Sequence, residues 1–241
     1  MLAVIVLDDN NHQTNDKKYQ TMTEFIKAAD LKKKYQVKGR FYVLTTVNSI
    51  TKCRSLLTIT DTAKTHKKKL LVIMLNPGSS QPLDKEYLET EILATQIDKL
   101  NAVSLIDAKP DTTQYQIMRV MNELQFSYAD IINLYDIREP KSGILFDNAK
   151  KGELQTEASI FADTRQSELK NYFTTDTTVI LAWGNAKPIS EIEKKAIDNI
   201  SKLTKKIFTV RGNDNIICHP SPQNHNFKIK WLDNIYGQLK A

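Results

Sequence analysis

The run Lys69-Leu70-Leu71-Val72-Ile73-Met74-Leu75 is followed at once by Asn76-Pro77-Gly78, and no other segment constrains the fold so tightly. Its consecutive apolar residues leave no polar face, so a strand formed here has to be covered on both sides. The Pro-Gly pair then turns the chain out of the strand. A short apolar run ending in a turn suits the middle of a parallel sheet, with helices packed above and below.

The flanking sequence repeats this alternation. Further strands fit 55–60, 102–106, 129–135, 177–183, 206–210 and 215–218. Between them, apolar spacing predicts a helix over 84–100 through Leu88, Ile92, Leu93, Ile97 and Leu100. A second helix runs to about 124, capped by Asp111 or Thr112, with Tyr115, Met118, Met121 and Leu124 on one face. Others are expected over 154–171, over 189–204, and from about 226 with Phe227, Trp231, Ile235 and Leu239 close to one stripe. The pattern predicts an α/β fold: a three-layer domain with a central, mainly parallel sheet flanked by helices. The first residues differ in character. A short strand (2–7), a polar stretch (8–20), a helix near 21–35 and a β-rich 41–47 read as an N-terminal extension, 1–47, packed on a main domain of 48–241.

Composition narrows the function classes. With 241 residues and 41% hydrophobic content, the chain can bury one large core. No apolar run approaches the roughly 20 residues of a membrane span, and the opening apolar run is too short for a signal peptide. A cytoplasmic monomer is expected. Two cysteines, Cys53 and Cys218, cannot build a four-thiolate cluster or a standard structural zinc site and are expected as reduced thiols. A net charge of +6 favours a polyanionic partner. The clusters Lys32–Lys34, Lys67–Lys69 and Lys205-Lys206 fit that partner or a merely solvated surface.

In an open α/β sheet, ligands bind beyond the carboxyl ends of the strands. The residues leaving the apolar strands are Asn76, Asn133, Trp183-Gly184 and His219, and the alternation puts all of them on one edge. Asn76-Pro77-Gly78, Asn133 and His219-Pro220-Ser221-Pro222, taken in this order, resemble the uracil-DNA glycosylase superfamily, in particular its mismatch-specific branch. The segment Val179 to Ala186 is similar to the Trp-Gly-x-x-Ala strand that precedes the last motif in uracil-DNA glycosylases. Leu71 to Ser79, the Asp111-Thr112-Thr113 turn and Ile132-Asn133-Leu134 also resemble an uncharacterised family of bacterial and phage domains.

The chemistry gives each residue type a reason. Breaking a pyrimidine N-glycosidic bond places positive charge on the sugar and negative charge on the departing base. So electrophilic a cation needs its water positioned more than deprotonated, which the carboxamide oxygen of Asn76 can do, although a carboxylate would also stabilise the cation. His219, if neutral and donating, can hydrogen-bond the developing anion at O2 of the base. The resemblance implies the same two roles. Asn-Pro-Gly by itself is an ordinary turn; its pairing with His219 is what points to catalysis.

The remaining site residues follow from the same resemblance. Pro77 and Gly78 would line the base, and Asn133 would read its Watson–Crick edge or else bond to local backbone. Efficient uracil enzymes of the superfamily carry a tyrosine where Gly78 stands, so the resemblance implies an open wall beside C5. The expected substrate is therefore a mismatched or C5-modified pyrimidine in DNA, a modified phage cytosine and a role in antiviral defence among the options. Gln223 stands where an apolar wedge is familiar, and it either fills the gap left by the flipped base or is exposed. Ser79, Ser80 and Ser221 are expected phosphate contacts, and Arg138, Lys141 and Arg211 add charge at the same edge or are solvated. His12 and His66 are expected to be exposed, and His225 has no assigned role. Tyr87 and Tyr115 fit either base stacking or a helix core.

No lysine is singled out as a nucleophile, so a monofunctional enzyme that leaves an abasic site is expected, with no metal and no cofactor. Two other classes fit the residues: a non-catalytic nucleic-acid binder with a degenerate pocket, and a nucleoside or nucleotide N-glycosidase.

Overall fold

A computed structural model describes residues 3–6, 25–64, 68–186 and 189–240. The apolar run forms β4 (Lys69–Met74), and Leu70 to Ile73 are completely buried. β4 lies between two parallel neighbours, β7 (Tyr128–Asn133) and β8 (Thr178–Leu181). Beyond β8 the sheet continues in parallel through β9 (Ile207–Arg211) to β1 (Ala3–Val6). On the other side, β7 meets β3 (Ile50–Asp61), which forms a long antiparallel hairpin with β2 (Tyr35–Thr45). β5 (Thr90–Leu93) and the two-residue β6 (Ile106–Asp107) both pair with β2. The order is β1-β9-β8-β4-β7-β3-β2-β5, with β6 beside β2, and most pairs are parallel.

Helices cover both faces, as the two-sided burial of β4 demands. On one face, α1 (Ala28–Lys34), α2 (Thr112–Glu123) and α6 (His225–Lys240) enclose Leu57, Leu70, Val72, Ile131 and Ile180. On the other, α5 (Ser190–Leu203) and the stretch through Ile160, Phe161 and Leu169 enclose Leu71, Ile73, Ile132, Val179 and Leu181. The mainly parallel three-layer architecture expected from the sequence is present. Position 47 falls between β2 and β3, and these strands pair along almost their full length. The polar stretch 8–20 and the start of the helix expected near 21–35 lie outside the described residues, as do His12 and His66.

Two expected helices differ. Over 84–100 the chain makes β5 and then a 3-10 segment, Ala94–Ala102, broken at Gln96. Leu88 is 90% exposed, so the apolar stripe was not continuous. Thr90 to Leu93 instead satisfy the open edge of β2, where backbone pairing outweighs a weak helical pattern. Over 154–171 the chain makes two 3-10 turns, Thr156–Ala158 and Asp163–Arg165, and only then a short α4 (Gln166–Lys170). Arg165 causes the interruption. It is drawn into the core, where it bonds Asp136 at 2.7 Å and Glu168 at 2.8 Å. An unexpected helix, α3 (Ser142–Lys150), precedes this stretch. Residues 215–218 form no full strand; Ile217 makes an isolated bridge to Arg211.

The topology also places a crevice. The chain leaves β4 through α2 on one face and reaches β7; it leaves β8 through α5 on the other face and reaches β9. Adjacent strands whose connections diverge open a gap at their carboxyl ends. Here that gap lies between the exits of β4 and β8.

Candidate functional site

A cavity of about 510 Å³ occupies this gap. Its floor is the exit of β4, Met74 to Gly78, and its walls include Trp183, Gly184 and Asn185 after β8, His219, and Asp111, Thr113 and Gln114 at the start of α2. The structure therefore brings Asn76, Pro77, Gly78 and His219 together, although Asn76 and His219 are far apart in the chain.

Each of these side chains is held in one state. The Nδ2 of Asn76 donates to the carbonyls of Ile137 at 3.1 Å and Glu139 at 2.7 Å, which ties the β4 exit to the loop after β7. With both amide hydrogens engaged, Oδ1 is the atom left for the cavity. In His219, Nδ1 accepts the backbone N–H of Ser221 at 3.1 Å. A nitrogen that accepts carries no proton, so the neutral ring bears its hydrogen on Nε2 and can donate from there. Burial lowers the imidazole pKa and outweighs the attraction of the Asp111 carboxylate for the charged ring. His219 packs against Gly184, whose φ is +80°; a Cβ there would sit 3.5 Å from the His219 Cβ.

Gly78 has a φ of +60°, a left-handed conformation that favours glycine, and a Cβ built there meets nothing within 4 Å. The wall beside it is open, and the backbone supplies its own reason for glycine. Gly78 and Pro140 also border a second cavity of about 330 Å³, lined by Lys52, Ser79, Ser80, Tyr87 and Arg138 among others.

The other predicted residues are scattered more widely. Asn133 is completely buried at the end of β7, in register with Met74, and neither Oδ1 nor Nδ2 has a hydrogen-bond partner among the described residues. It stands outside the lining of either cavity. Arg138 is engaged within the protein: Nη2 donates to both carboxylate oxygens of Glu89, and Nη1 to the Ser80 carbonyl. Arg211 donates to the Asn215 carbonyl. Ser79, Lys141 and Gln223 are exposed, Ser80 is buried, and Ser221 is half-buried with its Oγ unbonded among the described residues. Tyr115 belongs to the core, and His225 packs edge-on against Phe25.

Sequence reasoning missed Arg54. It lines the larger cavity at 2% exposure, and its Nε and Nη1 have no hydrogen-bond partner among the described residues. Its position depends on a β-bulge. Arg40 pairs with Leu56 but Phe41 with Arg54, so Ser55 is the extra residue. Residues paired across strands share a face, and Phe41 lies in the α2-side core, so the bulge turns Arg54 to that side. Burial lowers its pKa to about 10, against the effects of Asp111 and Asp136, so it stays charged at neutral pH. A charged residue within a buried strand is a signal, but only the bulge decides where it points.

Asp111 caps α2. Its Oδ1 accepts from the N–H groups of Thr113 and Gln114, and the Gln114 side chain accepts from the Asp111 N–H, completing a capping box. Among the described residues no three His, Cys, Asp or Glu side chains gather as a metal site requires, and no helix is long and apolar enough to cross a membrane.

A family model described as a protein of unknown function (DUF1643) matches residues 98–221. The match spans α2, β7, β8, α5, β9, Asn133 and His219, and leaves out β4, Asn76 and Arg54. No curated protein matches. A solved structure of a Zn-dependent exopeptidase from Parabacteroides distasonis ATCC 8503 is similar at 16% identity, covering 88% of this chain and 83% of that one, with a TM-score of 0.30. A likeness that slight carries no argument, and neither match names a glycosidic substrate.

Proposed function

This chain belongs to the family described as a protein of unknown function (DUF1643), and we propose that it is a monofunctional DNA glycosylase acting on a mismatched or C5-substituted pyrimidine. The observation that carries the reading is the complementary state of two side chains in one cavity. Asn76 offers an oxygen because its nitrogen is tied to two carbonyls. His219 offers an N–H because its other nitrogen accepts from Ser221. An acceptor for water and a neutral donor for a departing anion are what hydrolysis of an N-glycosidic bond needs. Asn133, completely buried and outside the cavity lining, lends this reading no support. Open space at Gly78 supports tolerance of a C5 substituent.

The test uses duplex oligonucleotides, each with a single natural or C5-substituted uracil or cytosine, followed by alkaline cleavage at abasic sites. Wild-type protein should produce such sites. His219→Ala and Asn76→Ala should each slow base release by roughly 10²–10³-fold, the usual effect of removing one group that stabilises the transition state. Full activity in both variants contradicts the assignment.

One observation favours a second reading, hydrolysis of free nucleosides or nucleotides. Arg138 and Arg211, the arginines expected to face a phosphate backbone, are engaged within the protein. DNA binding that weakens steeply with salt, by about one unit of logarithmic slope per phosphate contacted, would reject it.

A further inference from the structure

Arg54 has no part in the chemistry assigned so far. It shares the cavity wall with Asn76 and His219, and two of its guanidinium nitrogens have no partner among the described residues. Burying a guanidinium with open N–H groups opposes folding unless a ligand brings the acceptors. Asp111 and Asp136 are close enough to act on its charge. Asp111 is engaged in capping α2, and Asp136 bonds Arg165 and Tyr42 through Oδ2 while its Oδ1 has no hydrogen-bond partner among the described residues, Arg54 included. The bulge at Ser55, which turns Arg54 to this face, is a device often found beside functional sites.

Asn76 makes the placement informative. A carboxylate in its position would stabilise the sugar cation, but an amide carries no charge with which to do so. The position of Asn76 therefore carries no anion, and the cavity wall holds a cation, Arg54, beside the capping Asp111. Resting on the glycosylase reading, we infer that Arg54 is a further catalytic residue, donating to the oxygens of the departing pyrimidine and stabilising the negative charge that develops there. As the C1′–N1 bond breaks, its electron pair passes to the base and spreads onto O2, and onto O4 as well in a 4-oxo base. Water adds to C1′ and gives up a proton, and the base anion takes one from solvent after release. His219 contributes one neutral hydrogen bond, and Arg54 contributes the charge.

The test compares wild-type protein and Arg54→Met on four duplexes carrying the C5-methyl and C5-fluoro forms of uracil and cytosine. Fluorine at C5 makes the departing base a more stable anion, so its release needs less help. The variant should lose roughly 10²–10³-fold on the methyl substrates and markedly less on the fluoro ones, with a Tm unchanged or raised. An equal loss on both kinds of substrate, or no loss, overturns the role of Arg54 and leaves the glycosylase reading standing. Release of no base by wild-type protein overturns that reading as well. Arg54→Gln is the second variant. If neither variant folds, the guanidinium is structural and the inference fails.

Discussion

His219 shows how much a single backbone contact can determine. The Ser221 N–H fixes which ring nitrogen is bare, and burial disfavours the charged ring. Protonation would place a hydrogen on Nδ1 facing that N–H, so the neutral ring is the form the proposed chemistry would use. The folded-state pKa lies below the ordinary value of about 6.5. The neutral ring therefore contributes stability that is present above about pH 6.5 and lost as pH falls through the lower folded-state value. Base release should follow the same curve, holding down to below pH 6.5 before its acid limb. A limb centred above 6.5 in a pH–rate profile would contradict this state of His219. At this scale the sequence was informative where residues sit in short motifs, as Asn76 and His219 do. Arg54 was invisible because its orientation depends on one unpaired residue, Ser55, and nothing in Cys53-Arg54-Ser55-Leu56 announces a bulge.

Among the elements, α2 bears most directly on the cavity, since its first turn supplies Asp111, Thr113 and Gln114. The capping box fixes that turn, so Asp111→Ala should destabilise the protein by about 0.5–2 kcal/mol, measured by urea unfolding. An unchanged midpoint would mean that packing against α6 holds the turn without the cap. The helix was legible because an Asp cap, a Gln three residues on and an apolar stripe all agree. The helix expected over 84–100 had only a stripe, and the unpaired edge of β2 decided its fate. The one expected over 154–171 failed for a different reason. Its interior contains Arg165, whose partners Asp136 and Glu168 lie on opposite sides of it in the chain. Long-range charge pairing leaves no periodic trace.

For the molecule as a whole, that same buried cluster joins the sheet to the crossover leading towards β8. Arg165 bonds Asp136, Glu168 and the carbonyl of Glu157, and Asp136 also accepts from the Tyr42 hydroxyl. Asp136→Asn removes the charge but little volume, so Arg165 loses a partner in a place water cannot reach. Glu168 still pairs with Arg165, so the change should cost about 1–3 kcal/mol and lower the Tm by roughly 5 °C in a chain of this size. A Tm within a degree or two of wild type would mean that the pair adds little to stability. A central β4, a mainly parallel sheet around it and a cavity at its carboxyl edge could be reasoned from the apolar run, its turn and the alternation of strands and helices that follows. The β2–β3 hairpin was harder to place, because its two strands lie on either side of position 47, the end of the expected extension, and pair with each other.

If the proposed function is right, the cavity between the exits of β4 and β8 hydrolyses an N-glycosidic bond in DNA. Mass spectrometry of the small molecules released from a C5-substituted duplex tests it most directly. Wild-type protein should release a free pyrimidine base, and His219→Ala should do so about a hundredfold more slowly or worse, on the order expected for losing one anion-stabilising donor. No free base from any substrate, or equal release by His219→Ala, would contradict it.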